Sequence, residues 1–190
     1  AKNDIFLGYI VVQDKIKEES KEVISYLNSK GKTIMLTGDN SSVANKVASY
    51  LNLTSYKASL LPQDKVKEVE NIIKNKDKND VVCYVGDGIN DAPSLMIADV
   101  GISMGKVGSD AAIEASDVVI TNDNLTKIKL SKRIAKKVIT IVNENIYFAI
   151  GVKVLVLILS ALGYAEMWLA IFADVGVSLL AILNSLRVNL

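Results

Sequence analysis

The chain has 190 residues, with 22 Lys plus Arg against 21 Asp plus Glu, no His, one Cys, two Pro and 50% hydrophobic residues. The length suits one globular domain with an appendage. The missing His removes the usual imidazole base and the commonest metal ligand, the single Cys removes disulfide frameworks, Cys-x-x-Cys redox chemistry and cysteine zinc sites, and a net charge of +1 leaves no electrostatic footprint for nucleic acid.

Taken in order, short apolar runs alternate with helical patterns. Ile5–Val12 reads as a strand, Glu18–Ser29 as a helix stopped by Gly31, and Thr33–Thr37 as a second strand. A Gly38-Asp39-Asn40 turn leads into a helix over Ser41–Leu51, then a short strand near Tyr56–Ala58 and a helix over Asp64–Lys74 behind Pro62. Val81–Val85 is a continuous β run of the kind covered on both faces, with Cys83 expected in the core. The turn Gly86–Asp91 opens a short helix to Ala98, followed by strand Val100–Met104, helix Ser109–Glu114 and strand Val118–Ile120. That βαβα order predicts an α/β fold with a doubly wound parallel sheet.

The hydrophobic excess lies at the C-terminus. Residues 141–190 hold two basic side chains (Lys153, Arg187) and three acidic ones (Glu144, Glu166, Asp174). Two apolar runs, Ile146–Leu162 and Met167–Leu183, flank a short Gly163-Tyr164-Ala165-Glu166 loop. Each is near the lower end of the roughly 17–25 residues of a membrane-spanning helix. A buried hairpin of a soluble protein is the competing reading, and two such runs in a short chain favour the membrane. The basic stretch Lys127–Lys137 before the first run and Arg187 after the second keep both ends cytoplasmic by the positive-inside rule. The stretch itself reads as a stalk helix, with anionic lipid as a further partner. Tyr164 and Trp168 suit an interfacial aromatic belt. The expected division is therefore a soluble domain over 1–124, a stalk over 125–144 and a membrane hairpin over 145–190. Ala1-Lys2-Asn3-Asp4 shows no signal-peptide pattern, and a start without Met is expected of a fragment.

In doubly wound sheets, chemistry collects at the carboxyl ends of strands. Thr37-Gly38-Asp39 and Gly86-Asp87-Gly88 both fall there, each a strand, a Gly-rich turn and a helix start whose N–H groups favour an anion such as phosphate. Asp87 and Asp91, four apart, beside an anion site point to Mg²⁺. Lys65, one turn into its helix, is placed to add a fixed positive charge. In the apolar tail, Lys153 and Asp174 lie at similar depths from the hairpin loop and are able to pair; a purely structural ion pair is the competing reading.

Thr37-Gly38-Asp39-Asn40, Leu61-Pro62-Gln63-Asp64-Lys65 and Gly86-Asp87-Gly88-Ile89-Asn90-Asp91-Ala92-Pro93 resemble, in order and spacing, the phosphorylation domain of P-type cation ATPases. Ala98-Asp99-Val100-Gly101-Ile102 and Gly108-Ser109-Asp110-Ala111-Ala112 look like the same family. The resemblance implies a Rossmann-like core of the haloacid-dehalogenase type and an aspartyl-phosphate intermediate. It implies that Asp87 coordinates Mg²⁺ with Asp91 in support, Thr37 hydrogen-bonds the phosphoryl group within the Thr37-Gly38-Asp39 turn, Lys65 neutralises its charge and Asn90 helps hold it. It implies ATP as the phosphoryl donor, bound mainly by a nucleotide domain outside this chain, and places Asp14 near the hinge to that domain.

The family's Asp-Lys-Thr-Gly-Thr nucleophile run is not in this sequence, so the chain alone is expected to be inactive. The rest of the pump, its nucleotide, actuator and earlier membrane segments, is the implied partner. Asn184-Ser185-Leu186-Arg187 resembles the end of the last helix in heavy-metal pumps. Copper pumps carry Met where this chain has Asp174, and Tyr-Asn where it has Gly151-Val152-Lys153. Lys153 with Asp174 is similar to the zinc/cadmium/lead-exporting group, which implies Asp174 as ligand of the transported ion and Lys153 as its counter-charge. A carboxylate suits Zn²⁺, whereas Cu⁺ selects sulfur. The implied setting is a multi-pass protein of the plasma membrane. Lys outnumbering Arg 20 to 2 fits an AT-rich bacterial genome. Two other classes stand beside this one: a membrane-tethered phosphatase of the same superfamily, which needs an upstream Asp-x-Asp strand, and a non-enzymatic truncated module that regulates a partner.

Overall fold

The computed structural model describes residues 15–86, 89–105, 113–122, 124–164 and 166–189. The chain divides into two compact units, Ala1–Lys127 and Ile128–Leu190. The strand expected at Ile5–Val12, Asp14, Asp87 and most of the helix expected at Ser109–Glu114 lie outside the described residues.

In the first unit, α1 (Ser20–Asn28) precedes β1 (Ile34–Leu36), α2 (Ser41–Leu51), β2 (Ser55–Lys57) and α3 (Pro62–Asn75). Then come β3 (Cys83–Gly86), a 3₁₀ turn (Ile89–Asp91), α4 (Ala92–Ile97), β4 (Val100–Met104) and β5 (Val118–Ile120). Local chemistry sets the helix ends. Asn40 caps α2 by accepting the Val43 N–H at 3.0 Å, and Asn52 closes the helix in the left-handed conformation at φ 56°. Ala44, Ala48 and Leu51 form its buried stripe. Pro62 occupies the first turn of α3, and the Asp64 carboxylate accepts the Leu61 N–H at 3.2 Å.

Among the described residues all strands are parallel, and they fall into two sheets. β1 pairs with β2 (Met35 opposite Tyr56). β3, β4 and β5 run in that order, with Val85 opposite Ile102 and Ser103 opposite Val119. One continuous sheet was the expectation; among the described residues β1 and β3 each keep one unpaired edge. Strand β4 is central in its sheet and buried from Gly101 to Met104. Strand β3 is not. Cys83 is exposed rather than in the core, and Val81 and Val85 are exposed too. The physical reason is position: among the described residues β3 is an edge strand, so a run suited to two covered faces has only part of its cover.

In the second unit the expected stalk and first apolar run are one continuous helix, α5 (Thr126–Ala161), of 36 residues. After the turn, helix α6 (Met167–Ile171) passes through a π-helical turn (Phe172–Gly176) into α7 (Val177–Ser185) and a 3₁₀ turn (Leu186–Asn189). α5 and the 22-residue span Met167–Val188 are both long and apolar enough to cross a membrane. At 1.5 Å per residue the second span is about 33 Å long, which matches a hydrocarbon core of about 30 Å. Leu155, Leu157, Ile158, Ile171, Val175 and Leu179 all stay exposed on these helices. An apolar surface of this kind suits lipid rather than a water-facing hairpin.

Candidate functional site

At the carboxyl ends of β1, β2 and β3, the sequence-predicted residues join through a run of contacts. Thr37 extends the β1 ladder by one residue, its N–H donating to Lys57 O at 3.0 Å. Its Oγ1 donates to Asp39 Oδ2 at 2.9 Å and accepts the Asp39 N–H at 3.1 Å, so the Thr37–Asp39 turn, with Gly38 at its centre, closes on itself. The loop after β2 folds back onto this turn. Ser59 N–H donates to Asp39 O at 2.7 Å, and Leu60 N–H donates to Thr37 O at 3.1 Å. Ser59 holds φ +57°, a left-handed conformation that costs a non-glycine residue energy and marks a constrained loop.

The same loop starts α3 and so fixes Lys65. Lys65 Nζ donates to Asp91 Oδ1 at 3.0 Å, and the side chains are 21% and 11% exposed. Tyr84, from β3, donates its hydroxyl to the same oxygen at 3.0 Å. Gly86 ends β3 because nothing larger fits there: a Cβ would lie 2.8 Å from Asp91 Cβ and 3.0 Å from its Oδ2. Asn90 is exposed on the 3₁₀ turn and bonds no other side chain among the described residues.

Thus Thr37, Asp39, Lys65 and Asp91 belong to one connected region, and Tyr84 is a member the sequence did not mark. The donor set bears on Mg²⁺. Among the described residues no three His, Cys, Asp or Glu side chains converge on a metal position. Asp91 Oδ1 is already held by a cation and a phenol. The described residues therefore fit a hard cation only in part, and Asp87, the expected ligand, lies outside them.

The second region lies in the apolar helices. Lys153 Nζ on α5 is 3.2 Å from Asp174 Oδ1. Toward the other end of the hairpin is a set of contacts that sequence reading missed. Asn145 Nδ2 donates to Ala181 O at 3.2 Å and Ser185 Oγ at 3.1 Å, while its Oδ1 accepts from Asn184 Nδ2 at 2.9 Å. Glu144 Oε2 accepts from Arg187 Nη1 at 3.0 Å and from Asn184 Nδ2 at 3.3 Å. Interhelical amide bonds are a common device for fixing apolar helices.

Asp174 sits inside the π turn. The Val177 N–H reaches back to Phe172 O, and Ser178 Oγ donates to Asp174 O at 2.7 Å. Gly176 faces the Phe172 ring so closely that a Cβ would fall 2.6 Å from Cδ2. Single π turns occur often at functional sites.

The family profile "haloacid dehalogenase-like hydrolase" matches residues 2–99. A zinc-transporting ATPase of Synechocystis sp. is 48% identical over 183 residues, covering 95% of this chain and 25% of the relative. A cadmium, zinc and cobalt-transporting ATPase of Bacillus subtilis is 46% identical over 185 residues, covering 96% and 26%. Among solved structures, a zinc-transporting PIB-type ATPase in its E2.Pi state superposes with a TM-score of 0.82 at 38% identity, over 93% of this chain and 28% of that one. The chain belongs to the haloacid dehalogenase-like hydrolases and, within them, to the heavy-metal P-type ATPases. It spans about a quarter of the length of the curated relatives it matches.

Proposed function

We propose that this chain is the part of a bacterial heavy-metal export pump that carries half of the phosphorylation site and the last two membrane helices. The transported ion is a divalent zinc-like cation (Zn²⁺, Cd²⁺ or Pb²⁺). The observation that carries this reading is the Lys153–Asp174 pair, 3.2 Å apart within helices of membrane-spanning length. An ionisable group at that depth is costly and is retained for function. Asp174 offers a hard oxygen ligand in a membrane segment with neither His nor Cys. Lys153 occupies the carboxylate when no ion is bound and competes with the ion for it, which favours release.

In the soluble unit, Thr37 and Lys65 would take the oxygens of a phosphoryl group, with Asn90 beside them. Asp87 would hold Mg²⁺, with Asp91 fixed beside it by Lys65 and Tyr84. Bound there, Mg²⁺ would neutralise phosphoryl oxygens. The nucleophilic aspartate and most of the ATP contacts belong to the rest of the pump. Among the described residues β1 and β3 each keep an unpaired edge, and a strand between them would deliver its carboxyl end between Thr37 and Gly86. The setting is the plasma membrane, with both ends of this chain cytoplasmic by the positive-inside rule.

The test is Asp174→Ala in the full-length protein. Zinc-stimulated ATP hydrolysis is expected to vanish while the protein still inserts in the membrane; undiminished stimulation removes Asp174 from the ion site.

A further inference from the structure

The second unit carries a charged groove that neither the ion site nor the phosphate region uses. We infer that it binds the phosphate headgroup of an acidic phospholipid. The groove, about 370 Å³, lies where α5 meets the 3₁₀ turn that ends the chain's second apolar span. That is within the roughly 300–1,000 Å³ of ligand clefts. Arg133, Lys136, Lys137 and Glu144 come from one face of α5, at helical spacing, and Arg187 comes from the opposite wall.

Charge decides the class of ligand. Glu144 is the groove's acidic residue, and it is already taken by Arg187 Nη1 at 3.0 Å and Asn184 Nδ2 at 3.3 Å. Arg133, Lys136 and Lys137 have no acidic partner among the described residues. The groove thus holds a net charge of +3 within one cleft. Beneath the cations, Ile141 is 3% exposed and gives the cleft an apolar floor. A ligand with an anionic head and an apolar neighbourhood fits both features.

Depth decides the source. The second span just fills the hydrocarbon core, so Arg187, at its end, and Glu144 beside it mark the hydrocarbon boundary. Lys137 and Lys136 lie seven and eight residues before Glu144 on α5, about 10 and 12 Å farther out along the helix. The headgroup layer on each side is about 5–8 Å thick. Flexible lysine stems reach back into that layer. A lipid phosphate is held there by the bilayer itself, whereas a free phosphate is not. Juxtamembrane clusters of Lys and Arg attract acidic lipid; here Arg187 of the second span lines the same open groove. This inference needs membrane insertion but not the identity of the transported ion.

The experiment uses the full-length protein in phosphatidylcholine vesicles containing trace spin-labelled phosphatidylglycerol or spin-labelled phosphatidylcholine. The protein is expected to immobilise the phosphatidylglycerol label in preference. Lys137→Gln should cut that preference by about fivefold at low salt, and Lys136→Gln/Lys137→Gln should cut it further. Gln keeps helix propensity, so α5 is retained. The control Lys127→Gln/Lys132→Gln removes two charges from the same stretch outside the groove and should leave most of the preference intact. An equal loss in the control would mean a diffuse field and overturn the site. Displacement of the labelled lipid by millimolar inorganic phosphate, or no lipid preference in the unaltered protein, would overturn the lipid as occupant.

Discussion

Lys65 and Asp91 meet at 3.0 Å across two elements, the start of α3 and the turn after β3, and Tyr84 adds its hydroxyl to the same carboxylate oxygen. Two donors from different elements therefore fix one oxygen. The pair is mostly withdrawn from solvent, so removing the cation leaves a carboxylate with poor hydration and a single neutral donor. Loss of a hydrogen bond to a charged group costs about 1.5–3 kcal/mol, and loss of a neutral donor about 1 kcal/mol. Lys65→Met is thus expected to lower the thermal midpoint of the full-length protein more than Tyr84→Phe does. It should also suppress phosphoenzyme formation from ATP, while Tyr84→Phe keeps most of it. Equal phosphoenzyme levels in Lys65→Met and unaltered protein would remove Lys65 from the phosphoryl site.

Much of this site was legible because motif residues are poor packing residues. Thr37, Asp39 and Asp91 stand out as polar groups after strand ends and Lys65 as a cation at a helix start, and the fold brings them together. Tyr84 was not legible: inside Val81-Val-Cys-Tyr-Val85 it reads as one more β-former, and only the fold aims its hydroxyl at Asp91. Cys83 misled for a related reason. Composition reports that a strand is built for burial, whereas among the described residues β3 has a neighbour strand on one side only. In the tail, counting residues from the hairpin loop was enough to pair Lys153 with Asp174. Asn145 and the π turn escaped, since an amide or a Gly in an apolar run has no periodic signature.

The soluble unit also carries a pH-sensitive tie. Asp99 accepts from Lys76 Nζ, with which it forms an ion pair, and from the Val82 N–H at 2.7 Å. The Lys76 hydrogen bond, followed by that from Val82, holds its carboxyl below the usual aspartate range. A depressed folded value means stability that is present above the unfolded pKa of about 3.9 and is lost as pH falls through the folded value. Asp99→Asn should therefore melt slightly earlier than the unaltered protein at pH 7, and the gap should close as pH falls below about 4. A thermal melt series across that range in detergent checks it. A gap that stays constant with pH would mean that the Lys76 charge contact contributes nothing.

The π turn around Asp174 makes the most specific demand on a single residue. Its ends are anchored, by the hairpin loop on one side and by the Asn145–Asn184 amide pair at 2.9 Å on the other. A π turn takes one residue more than an α turn, so converting it to α between fixed anchors must rotate Asp174 relative to Lys153. Gly176 permits the π form because its missing side chain leaves room for the Phe172 ring. Ala at 176 collides with that ring in the π form, while in an ordinary α turn a pair four apart is in normal contact. Gly176→Ala is expected to keep membrane insertion and to lower ion-stimulated ATP hydrolysis about tenfold, the scale seen when groups supporting a metal ligand are disturbed. Truncating the ring should relieve the collision. Phe172→Ala alone should remain active, and Phe172→Ala/Gly176→Ala should recover most of the loss, a coupling that a double-mutant cycle measures directly. Additive losses, or a fully active Gly176→Ala protein, would show that the Phe172–Gly176 approach does not orient Asp174.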